Sequence, residues 1–233
     1  AGFSTQSNGS TNTAAIPGAF STNFTNHGAN NGWMSTINGA ASGDDAGNSV
    51  AVDVAGNVHI VGSYNAGGTN DDFILRKYDS AGNITWEKYF NSAANNVNDG
   101  SGVATDASGN VYVIGREARN DLGQSYNIWL AKYGATGMLL WSKTFNGGSN
   151  GSDQGKSIAV DGSGNIYAAG LETVTGQNTN AWIAKYDTNG LVQWTTNYNG
   201  SASGGDGATG IVVDGSGNAY VTGGTQSANF PTV

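Results

Sequence analysis

Short runs of alternating apolar and polar residues recur along the chain, and residues that favour turns separate them. Residues 58–61 (Val-His-Ile-Val) form one such run, and residues 73–78 form a longer one. Alternation with a period of two over four to six residues is typical of β-strands. The pattern therefore predicts an all-β chain of short antiparallel strands that pack in sheets.

The runs belong to a repeat. The motif Asp-x-x-Gly-Asn-x-(Tyr or His)-x-x-Gly occurs four times, at residues 53–62, 106–115, 161–170 and 214–223. A tryptophan precedes each copy by a constant 20 residues, at Trp33, Trp86, Trp141 and Trp194. A repeat of about 50 residues decides the architecture before any local pattern does.

Each copy of the repeat predicts four short strands, which we name A to D. In the first complete copy, strand A is 49–52, strand B is 58–61, strand C is 73–78 and strand D begins at Trp86. The Asp-x-x-Gly-Asn link predicts a tight hairpin between A and B, because Asp accepts backbone N–H groups while Gly and Asn tolerate positive φ.

Four-stranded antiparallel units that repeat at this interval are typical of the blades of a β-propeller, and blades must stack because one blade cannot bury both faces. The small strand A residues Ala51, Ala104 and Ala159 fit the crowded centre, and the tryptophans fit the core between blades. We therefore expect a single propeller domain over residues 1–233. Its complete units are expected at 44–96, 97–150 and 151–204.

The number of blades follows from how the strand pairs are distributed. The chain opens with a C/D pair that ends near residue 37 and finishes with an A/B pair that begins near residue 210. If 205–233 and 1–43 form one closing blade, the propeller has four blades and is closed by pairing of N- and C-terminal strands. The alternatives are a fragment of a longer protein, or open edges that pair with another copy.

The stretch from 207 to 231 has Val-Asp-Gly-Ser-Gly-Asn-Ala-Tyr-Val-Thr-Gly at its centre. It resembles the repeat of the bacterial seven-bladed β-propeller family called SBBP. The resemblance covers about 44–233 well and 1–43 more weakly, and it implies a part of a secreted or surface-attached bacterial protein. The chain departs from the family in length, because seven such blades need about 370 residues and it has 233.

Composition excludes several classes of protein. The chain has no Cys, which removes a disulfide framework, a thiolate metal site and a Cys nucleophile. Nine basic residues against 17 acidic ones give a net charge of -8, so no basic stripe predicts nucleic-acid binding. No apolar run approaches the length of about 20 residues that a membrane-spanning helix needs, so no membrane insertion is expected.

Acidic residues recur in the connections from strand D to the next strand A. These connections return from the rim to the axis, so we expect equivalent positions to converge there. Oxygen ligands from several blades could hold Ca²⁺ or another hard cation in the central channel. The candidate ligands are Asp45, Asp99, Asp153 and Asp206. The alternative is that each acid caps a local turn and binds no ion.

The B-to-C loops differ most between copies, at 63–70, 116–126 and 171–180. They carry many amides, which suit sugar hydroxyls, and aromatic rings, which suit sugar faces. The candidate ligand-binding residues are Tyr64, Arg116, Arg119 and Glu172. The alternative is that the loops are merely solvated.

Catalysis has little support in the sequence. His27 and His59 are the only histidines, and His59 takes the place of a Tyr in the other copies. We therefore predict an extracellular, non-enzymatic propeller that serves as a binding or adhesion module for a glycan or protein at the cell surface. One alternative is a structural subunit of a surface filament or layer that self-associates through its terminal strands. A second alternative is a carbohydrate lyase or hydrolase.

Overall fold

A computed structural model describes residues 33, 35–37, 45–65, 72–94, 96–201 and 204–226. The regular structure in these residues consists of antiparallel β-sheets and one short 3₁₀ helix. Three sheets have four strands and one has two, and the strands of each sheet lie in chain order. We call the four-stranded sheets blades I to III and the two-stranded sheet the fourth pair. This confirms the predicted all-β fold and the A-to-D order of strands.

The strands are seven or eight residues long. Blade I contains β1 (Ala46–Val52), β2 (Val58–Tyr64), β3 (Asp72–Tyr78) and β4 (Ile84–Phe90). Blade II contains β5 (Asp99–Thr105), β6 (Val111–Ala118), β7 (Tyr126–Tyr133) and β8 (Leu139–Phe145), with the 3₁₀ helix at Asn120–Leu122. Blade III contains β9 (Gln154–Val160), β10 (Ile166–Thr173), β11 (Thr179–Tyr186) and β12 (Val192–Tyr198). The fourth pair contains β13 (Asp206–Val213) and β14 (Ala219–Thr225).

The Asp of each repeat motif closes the hairpin between strands A and B. In the fourth pair, Asp214 Oδ1 accepts the backbone N–H groups of Ser216 and Asn218, both at 2.9 Å. Its Oδ2 accepts Asn218 Nδ2 at 2.8 Å and the hydroxyl of Tyr220 at 3.1 Å. Gly217 completes the turn with a φ of 82°, which only Gly adopts without strain. These contacts confirm the predicted turn role of the motif acids.

The core lies between successive sheets rather than within them. Phe73 of blade I meets Trp129 of blade II with ring centroids 5.0 Å apart, and Phe145 of blade II meets Trp182 of blade III at the same distance. Each gap between sheets holds its own cluster of buried apolar side chains. Stacking in chain order is therefore what stabilises the blades, as a propeller requires.

The repeated tryptophans Trp86 and Trp141 pack against the next blade along the chain. Trp86 on the outer strand of blade I donates from Nε1 to the carbonyl of Ala135 at 3.1 Å. Its ring lies against Gly137 in the C–D turn of blade II, where a Cβ would come within 2.9 Å of the indole. Trp141 meets Gly190 of blade III in the same way. Both tryptophans are therefore packing residues, as the repeat predicts.

The two ends of the stack leave apolar residues uncovered within the described part of the chain. Val50 on β1 is 62% exposed, whereas its repeat equivalents Val103 and Ile158 are each 7% exposed. Tyr220 on β14 is 58% exposed, whereas its equivalent Tyr167 is 1% exposed. The predicted closing blade, 205–233 with 1–43, includes 1–32, 34, 38–43 and 227–233, which lie outside the described residues. Ring closure therefore stays a prediction.

Candidate functional site on the loop face

The alternating direction of the strands gives the propeller two different faces. The A–B and C–D turns lie at one end, which we call the turn face. The B–C loops and the D–A connections lie at the other end, which we call the loop face. The turn face repeats the same Asp-centred hydrogen bonds in every unit, whereas the loop face differs from unit to unit, with a 3₁₀ helix in blade II. Differences between copies therefore concentrate on one face.

The acids of the D–A connections hold the loop face together locally. Asp153 Oδ1 accepts the backbone N–H of Thr173 at 2.8 Å, while its Oδ2 accepts the N–H of Gly147. Asp153 thus joins the end of strand B in blade III to the connection between blades II and III. Asp153 is fully buried, and this burial raises the pKa of its carboxyl, against the two backbone hydrogen bonds that lower it.

The other D–A acids occupy the same repeat position, with one exception. Asp45 Oδ1 accepts the N–H of Asn65 at 2.8 Å, and Asp206 Oδ2 accepts the N–H of Gly200 at 2.6 Å. In blade II the equivalent residue is Asn98, whose Oδ1 accepts the N–H of Ala118 at 3.1 Å. The predicted ligand Asp99 is therefore one residue out of register with the other three.

This geometry does not gather the four predicted calcium ligands. Within the part of the chain that the structure describes, no group of three or more His, Asp or Glu side chains is arranged to hold a metal ion. Asp45, Asp153 and Asp206 instead each accept a hydrogen bond from a backbone N–H group. A calcium ion in the channel stays a prediction, and Asp99 takes part in a different arrangement.

Asp99 faces a cavity of about 330 Å³ between the innermost strands of all four units. We call it the central cavity. Its lining is polar, with carboxylate, guanidinium, ammonium, amide and hydroxyl groups. The lining residues are Asn48 of β1, Asp99 and Ser101 of β5, Arg116 of β6, Gln154 and Lys156 of β9, and Thr209 of β13.

A β-bulge in strand A of every unit builds this lining. In the β5–β6 ladder, Gly100 and Gly102 pair with consecutive residues of β6, so Ser101 has no partner. The same interruption leaves Asn48, Lys156 and Thr209 unpaired in the other units. A bulge bends the strand and redirects one side chain, and here all four redirected side chains line the central cavity.

The bulge also explains the last glycine of the repeat motif. A Cβ on Gly115 would collide with the carbonyl oxygen of Asp99 on the bulged strand. Gly170 meets the carbonyl of Gln154 in the same way. Only glycine lets strand B approach the bulge this closely. The bulge is thus part of the repeat scaffold, while the side chain that it presents is free to vary.

The charges in the central cavity are unevenly paired. Arg116 stands opposite Asp99 in the ladder and donates from Nε to Asp99 Oδ2 at 2.7 Å. The guanidinium also lies over the ring of Tyr126, 4.5 Å from its centroid. Lys156 donates to Gln154 Oε1 at 2.8 Å, and no carboxylate of the described residues lies within 4.0 Å of it. The lining therefore contains two cations, Arg116 and Lys156, and one carboxylate, Asp99, so one positive charge is not neutralised.

Lys156 is half-buried on the bulge of β9. Burial lowers the pKa of its ammonium, the charge of Asp99 opposes this shift, and the charge of Arg116 adds to it. An anion beside Lys156 would relieve both the burial cost and the repulsion. The electrostatics of the cavity thus favour a negatively charged occupant, although the chain as a whole has a net charge of -8.

The remaining predicted ligand-binding residues lie away from the central cavity. Tyr64 packs its ring against Tyr89, with centroids 4.8 Å apart. Arg119 lies beside the 3₁₀ helix and pairs with Asp121 at 3.2 Å. Glu172 is 6% exposed and accepts a hydrogen bond from Asn197 at 2.7 Å. The structure brings Arg116 and Asp99 together at the central cavity. Ligand binding by Tyr64, Arg119 and Glu172 stays a prediction.

Comparison with protein families supports the architecture. The family model described as SBBP, beta-propeller repeat, matches 141–171 and 193–231. Each matched segment runs from the outer strand of one unit into strands A and B of the next, so the matches follow the units of the structure. The match confirms the resemblance to SBBP repeats. A search of the curated proteins finds no match to this chain. The described residues contain no helix that is long and apolar enough to cross a membrane.

Proposed function

We propose that this β-propeller repeat protein is a non-enzymatic binding module that contacts a glycan or protein at the cell surface through its loop face. The observation that carries the proposal is the contrast between the two faces. The turn face repeats one set of hydrogen bonds, whereas the loop face combines different loops with a polar cavity. Variable loops on a rigid sheet scaffold are the usual place for binding residues.

The chemistry of the loop face supports binding rather than catalysis. Hydrolysis of a glycosidic bond generally requires two carboxyl groups about 5–9.5 Å apart. Among the described residues that line the central cavity, Asp99 is the single carboxylate, and Arg116 already pairs with it. Amide and hydroxyl groups make up most of the remaining lining, and they suit the hydroxyl groups of a sugar. The extracellular location is part of the proposal and rests on the SBBP resemblance.

A glycan array with the labelled full chain tests this proposal. We expect retention of a defined set of glycans, and loss of part of that binding in the loop-face variant Arg119→Ser. Lys143→Ser is the matched control, because Lys143 lies on the outer strand β8, away from the loop face. If the folded chain retains neither a glycan nor a surface protein, or if both variants weaken binding equally, the proposal is wrong.

We also propose that the four units close into a ring, with the segment that ends at Ile37 supplying the outer strands of the fourth pair. The position of Trp33 supports this arrangement. Its ring lies against Gly82 of blade I, as Trp86 lies against Gly137 of blade II. Trp33 therefore occupies the place of an outer strand from a preceding blade.

The exposed ends of the stack favour a second candidate function, assembly into a filament or layer. The uncovered faces at Val50 and Tyr220 could meet those of a second copy instead of closing on each other. Size-exclusion chromatography with light scattering separates the two arrangements. A monomer whose size does not change with concentration supports ring closure, whereas a series of growing oligomers supports assembly.

A further inference from the structure

We propose that the central cavity binds the carboxylate of an acidic sugar, with Lys156 and Arg116 as the groups that hold it. This inference rests on the proposed function, because it names the ligand class of that same loop face. It depends on where the side chains of the bulged residues point and on how their charges are paired.

The repeat scaffold fixes the position of Lys156 in the cavity. Every unit aims one side chain of strand A into the cavity through a β-bulge, and three of the four are small and neutral, namely Asn48, Ser101 and Thr209. Blade III alone presents a lysine there. The opposite position on strand B carries Arg116 in blade II and Leu171 in blade III. Both cations therefore line the same cavity, where burial and then the charge of Arg116 lower the pKa of Lys156.

The pairing of charges in the cavity indicates the charge of the ligand. Asp99 neutralises one of the two cations through its 2.7 Å bond with Arg116 Nε. In the described structure the terminal nitrogens of Arg116 make no further hydrogen bond, and Lys156 bonds only to the neutral Gln154. One uncompensated positive charge matches one carboxylate. A phosphate monoester carries almost two negative charges at neutral pH, and it would leave a net negative charge beside Asp99.

The polarity and volume of the cavity indicate the nature of the rest of the ligand. The described lining includes no aromatic side chain, so it offers a neutral sugar no ring on which to stack. Binding must instead come from charge-assisted hydrogen bonds to the carboxylate and from ordinary ones to hydroxyl groups. Asn48, Ser101 and Thr209 supply amide and hydroxyl partners on the remaining sides. A volume of about 330 Å³ is at the lower end for small-molecule sites, which suits a sugar unit rather than a folded partner.

Titration calorimetry of the full chain with D-glucuronate and D-galacturonate tests this inference, with D-glucose as the neutral control. We expect both uronates to bind and glucose to bind at least about tenfold more weakly, because charge-assisted bonds carry the affinity. An oligogalacturonate identifies the source of the acid. Tighter binding of the oligomer indicates a polysaccharide, and equal binding indicates a free sugar acid.

Variants at the bulge make the test specific. Lys156→Thr places the residue of the fourth pair in blade III, a change that the repeat scaffold already accommodates. It should weaken uronate binding at least about tenfold, whereas Lys156→Arg keeps the charge and should keep most of the affinity. Lys143→Thr on the outer strand is the matched control and should bind like the unmodified chain.

The outcomes separate this inference from the proposed function. If glycans bind on the array but the uronates do not bind, or bind Lys156→Thr unchanged, the binding module stands and the acidic-sugar site is wrong. If the folded chain binds the uronates and Lys156→Thr abolishes this binding, the binding module and the acidic-sugar site are both supported. If it binds neither a glycan nor a surface protein, both are wrong.

Discussion

His59 Nε2 lies 3.1 Å from Asp53 Oδ2, in the place where three other units put a tyrosine hydroxyl on the equivalent aspartate. The histidine lies on β2 of blade I and is fully buried, and Lys77 Nζ lies 3.3 Å from the same carboxylate oxygen. A titratable ring thus replaces a neutral phenol at one copy of a structural position. This makes His59 a scaffold residue, and it also introduces a pH dependence that the other units lack.

We expect His59→Tyr to remove a loss of stability in mild acid. Burial lowers the pKa of His59, the hydrogen bond to Asp53 opposes this shift, and Lys77 adds to it. The unfolded chain therefore takes up the proton more readily, so the free energy of unfolding falls as pH drops below about 6.5. Asp53 itself has a lowered pKa, so its contribution is lost only below about pH 4.

Urea unfolding at about pH 7.5 and about pH 5.5 checks this prediction. The unmodified chain should be less stable at the lower pH, and His59→Tyr should show a smaller difference between the two conditions. An equal difference in both proteins would contradict the assignment of this titration to His59.

Replacement of Gly137 by Ala should destabilise the fold more than the same change at Gly56. Both glycines have a φ of 81°, so both substitutions carry the same backbone strain. A Cβ at Gly137 would also press on Trp86 at 2.9 Å, whereas a Cβ at Gly56 has no atom within 4 Å. Gly56→Ala should cost about 1 kcal/mol, and Gly137→Ala about 1–3 kcal/mol more.

Denaturant unfolding of the two Gly→Ala variants measures the difference. Because the strain is shared, the difference reports on the contact between Trp86 and the C–D turn of blade II. Equal losses of stability would show that the tryptophan contact contributes nothing to the joint between blades.

Asp153→Ala should cost about 2–3 kcal/mol, because it leaves the N–H groups of Gly147 and Thr173 without their acceptor. Asp153→Asn should cost less, since an amide oxygen can still accept from Thr173, as Asn98 accepts from Ala118 in blade II. Thermal unfolding of both variants gives this order. If Asp153→Ala is as stable as the unmodified chain, the hydrogen bonds from Gly147 and Thr173 to Asp153 do not stabilise the loop face.

Calcium should leave the melting temperature unchanged. Asp45, Asp153 and Asp206 each already accept a backbone N–H group, so an ion would compete with existing hydrogen bonds. Scanning calorimetry with EDTA and with added Ca²⁺ makes the comparison. A clear rise in the melting temperature with Ca²⁺ would instead support the channel ion that the sequence predicts.

Much of the fold could be predicted from the sequence because the same motif, with the same spacing to a tryptophan, occurs four times. The Asp-x-x-Gly-Asn turns, the strand order and the packing role of Trp86 and Trp141 all recur at fixed intervals. The closing blade could not be tested in the same way, because most of its predicted outer strands fall on residues outside the described part of the chain.

The candidate site was only partly predictable, and strand register is the reason. Asn98 and Asp99 are neighbours, and a shift of one residue turns a side chain to the other side of a strand. The sequence alone does not show which of the two equals Asp153. Lys156 was missed because it lies within a strand rather than a loop. Column-by-column comparison of the four strand A segments would have found it, since it stands against Asn48, Ser101 and Thr209.

Hydrogen–deuterium exchange of the full chain, with and without a bound glycan, tests most directly that the loop face is the binding surface. The account predicts slower exchange on binding in 116–126 and around Lys156, with no change in the turns at 53–57 and 106–110. Protection confined to those turns, or an unchanged exchange pattern in a chain saturated with ligand, would contradict it.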